Sequence, residues 1–296
     1  MAKTFRHKKY CLKLPLRTLL LGERTLLMGV LNVTPDSFSD GGHYLDPEAA
    51  AARALEMESE GADLIDIGGE STRPGAESVS AEEELGRILP VLRRLGGKLR
   101  IPISVDTSKA EVADAAAEAG AEIVNDVTGL RAGPQIAELA KRRKLGLILA
   151  HMRGEPRTMQ KGPFARDVMK DVTAKLKQSI SVARRAGVAK SQIVIDPGLG
   201  FGKSYEQNFE LVARFGEFAR LGFPLLMGAS RKSFVGKALG GRAKDERAWG
   251  TAATVAAGIL GGAQIVRVHD VAEMAQVARV ADAIVDRGRS PKGRRG

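Results

Sequence analysis

Polar side chains end several short apolar runs in this sequence, and the types of two acids and an amide suggest a binding chemistry. Asp106 ends the run Ile-Ser-Val-Asp, Asp196 ends Val-Ile-Asp, and Asn125 ends another run. Together they offer several acceptors and one amide donor, which suits an NH-rich heterocycle that presents an amidine-like edge to a carboxylate. Each acid alone is explained equally well as a helix cap or a loop contact. The three together favour a binding site.

A second group of residues near run ends is basic and suits an anion such as phosphate or diphosphate. Hydroxyl donors accompany it at Ser71, Thr72, Ser230 and Ser233. Ion pairing between this group and the acids above is the alternative explanation. The group comprises Arg73, Arg231, Lys232, Arg267 and His269.

The glycine-rich turn from Asp196 to Lys203 lacks the spacing of a phosphate-binding loop and of a dinucleotide fingerprint, so a nucleotide site is not indicated. Permissive backbone beside a flat ligand explains it better. The four histidines show no paired metal spacing, which argues against a protein-built zinc site. Magnesium that enters with a diphosphate, with Asn32 as an oxygen ligand, is consistent with the sequence.

Eight strand-plus-helix units must position these residues, and eight are what a (β/α)8 barrel needs; such barrels place their chemistry at the C-terminal ends of the strands. The runs are apolar without alternation, as expected of parallel strands buried on both faces. We therefore predict an α/β fold, a TIM barrel. The predicted strands are Leu26–Leu31, Asp63–Ile67, Ile101–Val105, Ile123–Asp126, Gly146–Ala150, Ile193–Ile195, Pro224–Met227 and Ile265–Val268.

Three further segments complete the predicted architecture. Leu12–Leu21 and Thr25–Leu31 flank Gly22-Glu23 and predict an N-terminal β-hairpin that leads into the first barrel strand. The segments Asn32–Asp46 and Gly68–Ser80, after the first and second strands, predict long binding loops.

The charge and composition bound the domain organisation. The 296 residues are 44% hydrophobic, which suits one barrel of about 250 residues with extensions. The net charge of +11 lies in the ends, because residues 1–24 carry +6 and residues 287–296 carry +5. We predict a basic extension and hairpin over 1–24, a barrel over 25–286, and a basic, disordered tail over 287–296. A neutral barrel gives no reason to expect a nucleic-acid interface.

The single cysteine and the apolar runs bear on the compartment. Cys11 has no second cysteine with which to form an internal disulfide, and this fits a reducing, cytoplasmic compartment. No run approaches the roughly 20 apolar residues of a membrane helix, so no membrane partner is expected.

A series of motifs resembles those of the dihydropteroate synthases, in the family's order, across about residues 26–286. The resemblance implies a pterin-binding TIM barrel of folate synthesis that forms a homodimer. It implies condensation of 6-hydroxymethyl-7,8-dihydropterin diphosphate with 4-aminobenzoate by an SN1-like course, with release of diphosphate. The motifs are Met28–Gly42, Asp66–Ala76, Ser104–Lys109, Val124–Val127, His151-Met152 with Thr158–Gln160, Asp196–Lys203, Ser230–Phe234 and Arg267–Val271.

The resemblance also implies a role for individual residues. The pterin would be held by Asp106, Asn125, Asp196, Lys232 and Arg267. The diphosphate would be held by Asn32, Thr72, Arg73, Arg267 and His269, with Mg²⁺ as cofactor at Asn32. The 4-aminobenzoate pocket would comprise Phe38, Thr72, Arg73, Pro74, Lys232 and Ser233. The catalytic group would comprise Asp36, Arg73, Lys232, Arg267 and His269.

Two rival functions share this fold. A corrinoid-linked methyltransferase would keep the pterin acids but has no need of the Ser71-Thr72-Arg73-Pro74 loop. A non-catalytic, pterin-binding paralogue would be expected to lose loop residues, yet Asn32, Asp36, Thr72 and Arg73 are all present. The sequence assigns no role to His151. It departs from the family pattern at Ala150 and Gln207.

Overall fold

Eight parallel strands form a nearly closed barrel within residues 8–34, 46–73 and 75–287, which are the residues that the computed structural model describes. The strands are β1 Tyr10–Lys13, β2 Thr18–Leu21, β3 Leu26–Asn32, β4 Leu64–Gly68, β5 Ile103–Asp106, β6 Ile123–Asp126, β7 Gly146–Ala150, β8 Ile193–Asp196, β9 Leu226–Met227 and β10 Ile265–Val268. The order of strands in the barrel sheet is β8-β7-β6-β5-β4-β3-β10-β9, and a single bridge between Ile195 and Leu225 joins its two ends. The predicted TIM barrel is thereby confirmed.

Helices connect successive barrel strands, and the connection after β9 holds a short extra one, α7. The helix α1 begins as its sequence indicates, because Asp46 Oδ1 accepts a hydrogen bond from Glu48 N over 2.8 Å and Pro47 is the first helical residue. The helices are α1 Pro47–Glu60, α2 Ala81–Leu95, α3 Ala110–Glu118, α4 Gln135–Arg143, α5 Val168–Arg185, α6 Tyr205–Ala213, α7 Ser233–Ala238, α8 Ala248–Leu260 and α9 Val271–Arg287.

The two faces of each barrel strand are both buried, but against different partners. Outward side chains such as Ile65 and Val105 belong to the large apolar core that includes the helices. Inward side chains such as Met28 and Leu64 form a smaller core inside the barrel. Since successive residues of a strand alternate between faces, the next inward position towards the C-terminus holds a polar side chain in four of these strands, at Asp66, Asn125, Asp196 and Arg267. We call the C-terminal end of the barrel its mouth.

The N-terminal hairpin exists, but the predicted position of its turn was wrong. Strand β1 pairs antiparallel with β2, from Tyr10 opposite Leu21 to Lys13 opposite Thr18, so the turn covers residues 14–17 and not Gly22-Glu23. The segment predicted as its second strand contains β3, which pairs with β4 and β10 instead. The physical reason is packing: Leu12 and Leu21 are buried against the inward side chains at the N-terminal end of the barrel.

None of the helices described in the structure is long and apolar enough to cross a membrane. Most of the loop Asn32–Asp46 lies outside the described residues, as do residues 1–7 and 288–296 of the two predicted extensions.

Candidate active site

Polar side chains from four strands meet on the inner face just above the apolar core of the barrel. Arg267 on β10 donates from Nε to Asp66 Oδ2 over 2.6 Å and from Nη2 to Asp106 Oδ2 over 2.9 Å. Asn125 donates from Nδ2 to the same Asp66 oxygen over 2.9 Å. Asp66 is 0% exposed and therefore orients two of the residues that the sequence predicts for pterin binding. No such role for Asp66 was predicted from the sequence.

An unsatisfied acceptor in this cluster indicates what it can bind. Asp106 Oδ1 is buried and accepts no hydrogen bond from the described residues. Burial raises the pKa of Asp106 well above its ordinary value, and the Coulombic attraction of Arg267 opposes this rise. A buried acceptor without a partner costs free energy, so a ligand with N–H groups would relieve that cost.

Asp196 lies on the neighbouring side of the barrel, at the end of β8. Its Oδ1 accepts a hydrogen bond from Gly198 N over 2.7 Å, which fixes the carboxylate relative to the glycine-rich turn. Burial raises the pKa of Asp196, while the bond from Gly198 and the charge of Lys232 oppose the rise. A carboxylate in this setting is prepared to accept from a hydrogen-bond donor of a ligand.

Lys232 supplies a cation to the same polar cluster. We call this cluster the floor of the mouth; it comprises Asp66, Asp106, Asn125, Asp196, Lys232 and Arg267. Its Nζ lies 3.8 Å from the centroid of the Phe201 ring, a cation–π contact. Burial lowers the pKa of Lys232 to about 8, as does the charge of Arg267, while Asp196 and Asp106 act in the opposite direction. This ammonium is therefore poised between its two protonation states near neutral pH.

A cavity of about 310 Å³ opens above Arg267 and brings together most of the residues predicted for anion and aminobenzoate binding. Both Lys232 and Arg267 line it, so it reaches the polar floor. The predicted residues along its wall are Asn32, Thr72, Arg73, Lys232, Ser233, Arg267 and His269.

Two members of the predicted basic group do not act as simple cations here. Burial lowers the pKa of His269 well below its ordinary value, and Arg267 adds to this, so the ring is neutral and lies 3.0 Å from Ser230 Oγ through Nδ1. Arg231 lines the cavity, but its guanidinium is paired with Asp270 and, over 3.1 Å, with Asp245. For Arg231, the ion-pairing alternative is the one observed.

A second cavity, of about 620 Å³, adjoins the first and includes Asp106. Ser71 and Thr72 line both cavities, so the segment after β4 forms the wall between them. The base of this wall is anchored: Lys109 pairs with Glu70 and, over 2.6 Å, with the fully buried Glu84. Further along, Gly75 N donates to Pro156 O over 3.0 Å, which ties the wall to the loop after β7.

Some predicted site residues stay outside this geometry. Asp36, Phe38 and Pro74 lie outside the described residues, so their roles remain predictions. Asn125 and Asp196 are buried in the floor at 3% and 7% exposure and line neither of the two cavities above. Within the described part of the chain, no group of three or more His, Cys, Asp or Glu side chains is arranged to hold a metal ion.

Comparison with known proteins identifies similar chains. The sequence model of a family described as pterin binding enzyme matches residues 28–269. The dihydropteroate synthase of Synechocystis sp. is 50% identical over 263 residues, which cover 89% of this chain and 91% of that protein.

Two solved structures have the same fold at high identity. The dihydropteroate synthase of Yersinia pestis, in complex with a sulfonamide drug, superposes with a TM-score of 0.88 at 43% identity and covers 93% of this chain and 99% of its own. That of Xanthomonas albilineans, in complex with 7,8-dihydropteroate, gives a TM-score of 0.81 at 41% identity over 90% of this chain and 96% of its own.

Proposed function

The chain belongs to the dihydropteroate synthases, a family of pterin-binding enzymes, and from this premise we propose how its barrel mouth performs the family's reaction. The activity is condensation of 6-hydroxymethyl-7,8-dihydropterin diphosphate with 4-aminobenzoate to give 7,8-dihydropteroate and diphosphate, as predicted from the sequence. We locate this reaction at the barrel mouth mainly because acids, an amide and a guanidinium cluster on its inner face, beneath the 310 Å³ cavity.

The floor of the mouth holds the pterin. The amidine-like edge of the pterin donates hydrogen bonds to the carboxylates of Asp106 and Asp196. Asn125 and Lys232 bind the same edge. The unsatisfied Oδ1 of Asp106 supports this placement, because it is a buried acceptor in need of a donor. Arg267 lies against the ring face, since two carboxylates hold its guanidinium in one orientation and a planar cation stacks on aromatic rings.

The 310 Å³ cavity holds the diphosphate end of the substrate. Heterolysis of the C–O bond sends the electron pair to the diphosphate oxygen and leaves a cation on the methylene carbon, which the electron-rich pterin delocalises. Arg73 and Arg267 stabilise the charge on the departing diphosphate, and Asn32, Thr72 and the neutral His269 provide hydrogen bonds. The amine of 4-aminobenzoate then attacks the carbon and loses a proton.

The aminobenzoate occupies the outer part of the same cavity. Four of the residues that we assign to its pocket, Thr72, Arg73, Lys232 and Ser233, line this cavity. The assignment of Phe38 and Pro74 to the pocket comes from the sequence and stays a prediction. Water must be kept from this pocket, because it would otherwise compete with the weakly basic amine for the cation. Asp36 either orders the loop over the cation or assists proton loss.

Magnesium fits this site as a companion of the diphosphate and not as a resident of a protein cage. Mg²⁺ commonly takes one or two protein oxygens together with substrate phosphates and water. Asn32 on the cavity wall provides such an oxygen, and no described cluster of acids offers a complete ligand set. When bound, the ion neutralises diphosphate charge.

We further propose that the enzyme is a cytoplasmic homodimer. Large apolar side chains are exposed on the adjoining helices α8 and α9, where Trp249 is 86% exposed and Val280 is 63% exposed. Large apolar side chains exposed on neighbouring helices are candidates for an interface between subunits. Sedimentation of the wild type and of Val280→Glu tests this: a dimer that the substitution dissociates is expected, and a wild-type monomer at micromolar concentration contradicts it.

One assay tests the function itself. The purified protein, pterin diphosphate, 4-aminobenzoate and Mg²⁺ are expected to yield dihydropteroate and diphosphate in equal amounts. Reactions that lack 4-aminobenzoate serve as the control and should yield no dihydropteroate. A folded protein that binds pterin without forming product would instead be a non-catalytic pterin-binding paralogue.

A further inference from the structure

A buried lysine in the loop after β8 has no part in the reaction described so far. Lys203, at the end of the glycine-rich turn, is 2% exposed. Its Nζ lies 2.7 Å from Gly198 O, 3.0 Å from Phe201 O and 2.9 Å from His151 Nδ1. An apolar residue would fill this position without the cost of desolvating an amine, so the contacts themselves need an explanation.

Lys203 Nζ donates to three backbone carbonyls, those of Gly198, Phe201 and, over 3.3 Å, His151, and the first two belong to residues that support a group of the pterin floor. Gly198 accepts from Lys203 through its carbonyl and donates from its N–H to Asp196 Oδ1 over 2.7 Å. Phe201 accepts from Lys203 through its carbonyl and holds Lys232 above its ring at 3.8 Å. One amine therefore connects to both a carboxylate and a cation of the floor.

His151 fixes the position of Lys203 in turn. Burial, together with the charge of Lys203, lowers the pKa of His151 to about 2, so the ring is neutral. Its Nδ1 then accepts from Lys203, and Nε2 carries the proton and faces Asp171 Oδ2 at 3.4 Å. The backbone N–H of His151 donates to Asp196 O over 2.9 Å, which ties the end of β7 to the end of β8.

The turn fits this arrangement only with glycine at position 198. Gly198 has φ +69°, and a Cβ built there would fall 1.9 Å from His151 O. The backbone of the turn thus packs directly on His151, and Lys203 donates hydrogen bonds to its carbonyls at Gly198 and Phe201. The relative positions of Asp196 and Lys232 have little freedom as long as these contacts persist.

We propose that Lys203 is a positioning residue for pterin recognition, which sets the carboxylate of Asp196 through Gly198 and the ammonium of Lys232 through Phe201. His151 is its support. The proposal rests on the proposed function, because it assumes that Asp196 and Lys232 bind the pterin edge. It predicts a specific loss of pterin affinity, and not a general loss of activity, when the amine is removed.

The main test is Lys203→Met, which keeps the length of the side chain and removes its donors. Calorimetry with 6-hydroxymethyl-7,8-dihydropterin, which lacks the diphosphate, is expected to give an affinity at least about tenfold weaker than that of the wild type. The KM for pterin diphosphate should rise by a larger factor than the KM for 4-aminobenzoate, because Lys203 supports two groups of the pterin site but only one, Lys232, of the aminobenzoate pocket. Lys190→Met is the matched control and should keep wild-type pterin affinity, because Lys190 also lies over a phenylalanine ring, that of Phe223 at 5.2 Å, but precedes β8 and lines neither cavity of the site.

A second pair of variants covers the case in which Lys203→Met does not fold. His151→Asn keeps an acceptor oxygen close to the position of Nδ1, whereas His151→Leu removes it. The proposal expects weaker pterin binding in His151→Leu than in His151→Asn. Equal pterin affinity in this pair, or wild-type affinity in folded Lys203→Met, overturns it.

These outcomes separate the proposal from the function on which it rests. A wild-type protein that forms no dihydropteroate contradicts the proposed function. A wild-type protein that forms it, together with Lys203 and His151 variants that all bind pterin normally, contradicts only the role of Lys203. If none of the Lys203 and His151 variants folds, the network serves the barrel as a whole and the positioning role is wrong.

Discussion

Asp66 holds Arg267 across the intervening strand β3, with Asp66 Oδ2 and Arg267 Nε 2.6 Å apart. The two residues come from opposite ends of the chain and meet because the first and last barrel strands are neighbours. The bond fixes the plane of the guanidinium against the space that we assign to the pterin ring. Asp66 is too deeply buried to be a ligand itself, so its effect on the substrate passes through Arg267 and Asn125.

Asp66→Asn should therefore impair catalysis without removing any group that touches substrate. The loss of one charge-assisted hydrogen bond, worth about 1.5–3 kcal/mol, predicts a fall of roughly 10- to 100-fold in kcat/KM for pterin diphosphate. Steady-state kinetics measure this. Ser104→Ala removes a buried hydroxyl at the neighbouring register position that has no partner among the described residues, and it should be nearly neutral. Wild-type kinetics in Asp66→Asn would refute the positioning role.

Arg73→Ala should weaken the handling of two substrates at once. Arg73 lines the cavity that we assign to both the diphosphate and the aminobenzoate, so KM for each substrate should rise and kcat should fall, by about tenfold or more in kcat/KM. Arg157→Ala changes an arginine of the adjoining cavity and is the control, with kinetics expected to stay close to the wild type. Unchanged steady-state kinetics in Arg73→Ala would rule this assignment out.

The protonation of Lys232 predicts an alkaline limit to activity. Its pKa is lowered to about 8 by burial, so the ammonium is present below this pH and is lost as the pH rises through it. The pH profile of kcat/KM, which reports the free enzyme, should fall on the alkaline side well before an ordinary lysine would titrate. Lys232→Arg should lower the rate but abolish this limb, because arginine keeps its charge. Persistence of the limb in Lys232→Arg would assign it to another group.

Lys109→Met should affect both stability and the wall of the cavity. It leaves the fully buried carboxylate of Glu84 without its cation, which predicts a loss of about 3 kcal/mol in the free energy of unfolding. It also frees Glu70 at the base of the Ser71-Thr72 segment, so the KM for 4-aminobenzoate should rise. Denaturant unfolding and steady-state kinetics measure the two effects.

The double variant Lys109→Met/Glu84→Gln separates them. Removal of the unpaired charge should recover most of the stability, but the raised KM should remain because Glu70 still lacks its anchor. Recovery of both quantities together would mean that the wall segment responds only to global stability.

The sequence predicts the inner-face residues well because their positions follow from a local rule. Asp106, Asn125, Asp196 and Arg267 occur at strand ends, and the period of two along a strand places each of them on the inward face. Strand ends in a barrel converge on the mouth, so the predicted set lies together in the structure.

Other features could not be read in the same way because they depend on contacts distant in sequence. Asp66 has the same inward alternation, but its role needs the knowledge that Arg267 lies two strands away. His151 had no predicted role because its partner, Lys203, belongs to another motif. The hairpin turn was misplaced because Gly22-Glu23 has turn composition, whereas burial of Leu12 and Leu21 in the barrel decides the pairing.

The pairing of β3 with β10 also has a consequence for synthesis of the chain. Leu26 is in register with Ile265, so the first barrel strand to leave the ribosome meets its last neighbour only after roughly 240 further residues, on the order of tens of seconds at about 5–20 residues per second. During this interval the leucines of the hairpin have no completed barrel end to cover. The hairpin leucines are therefore synthesised well before the last of the strands whose side chains bury them.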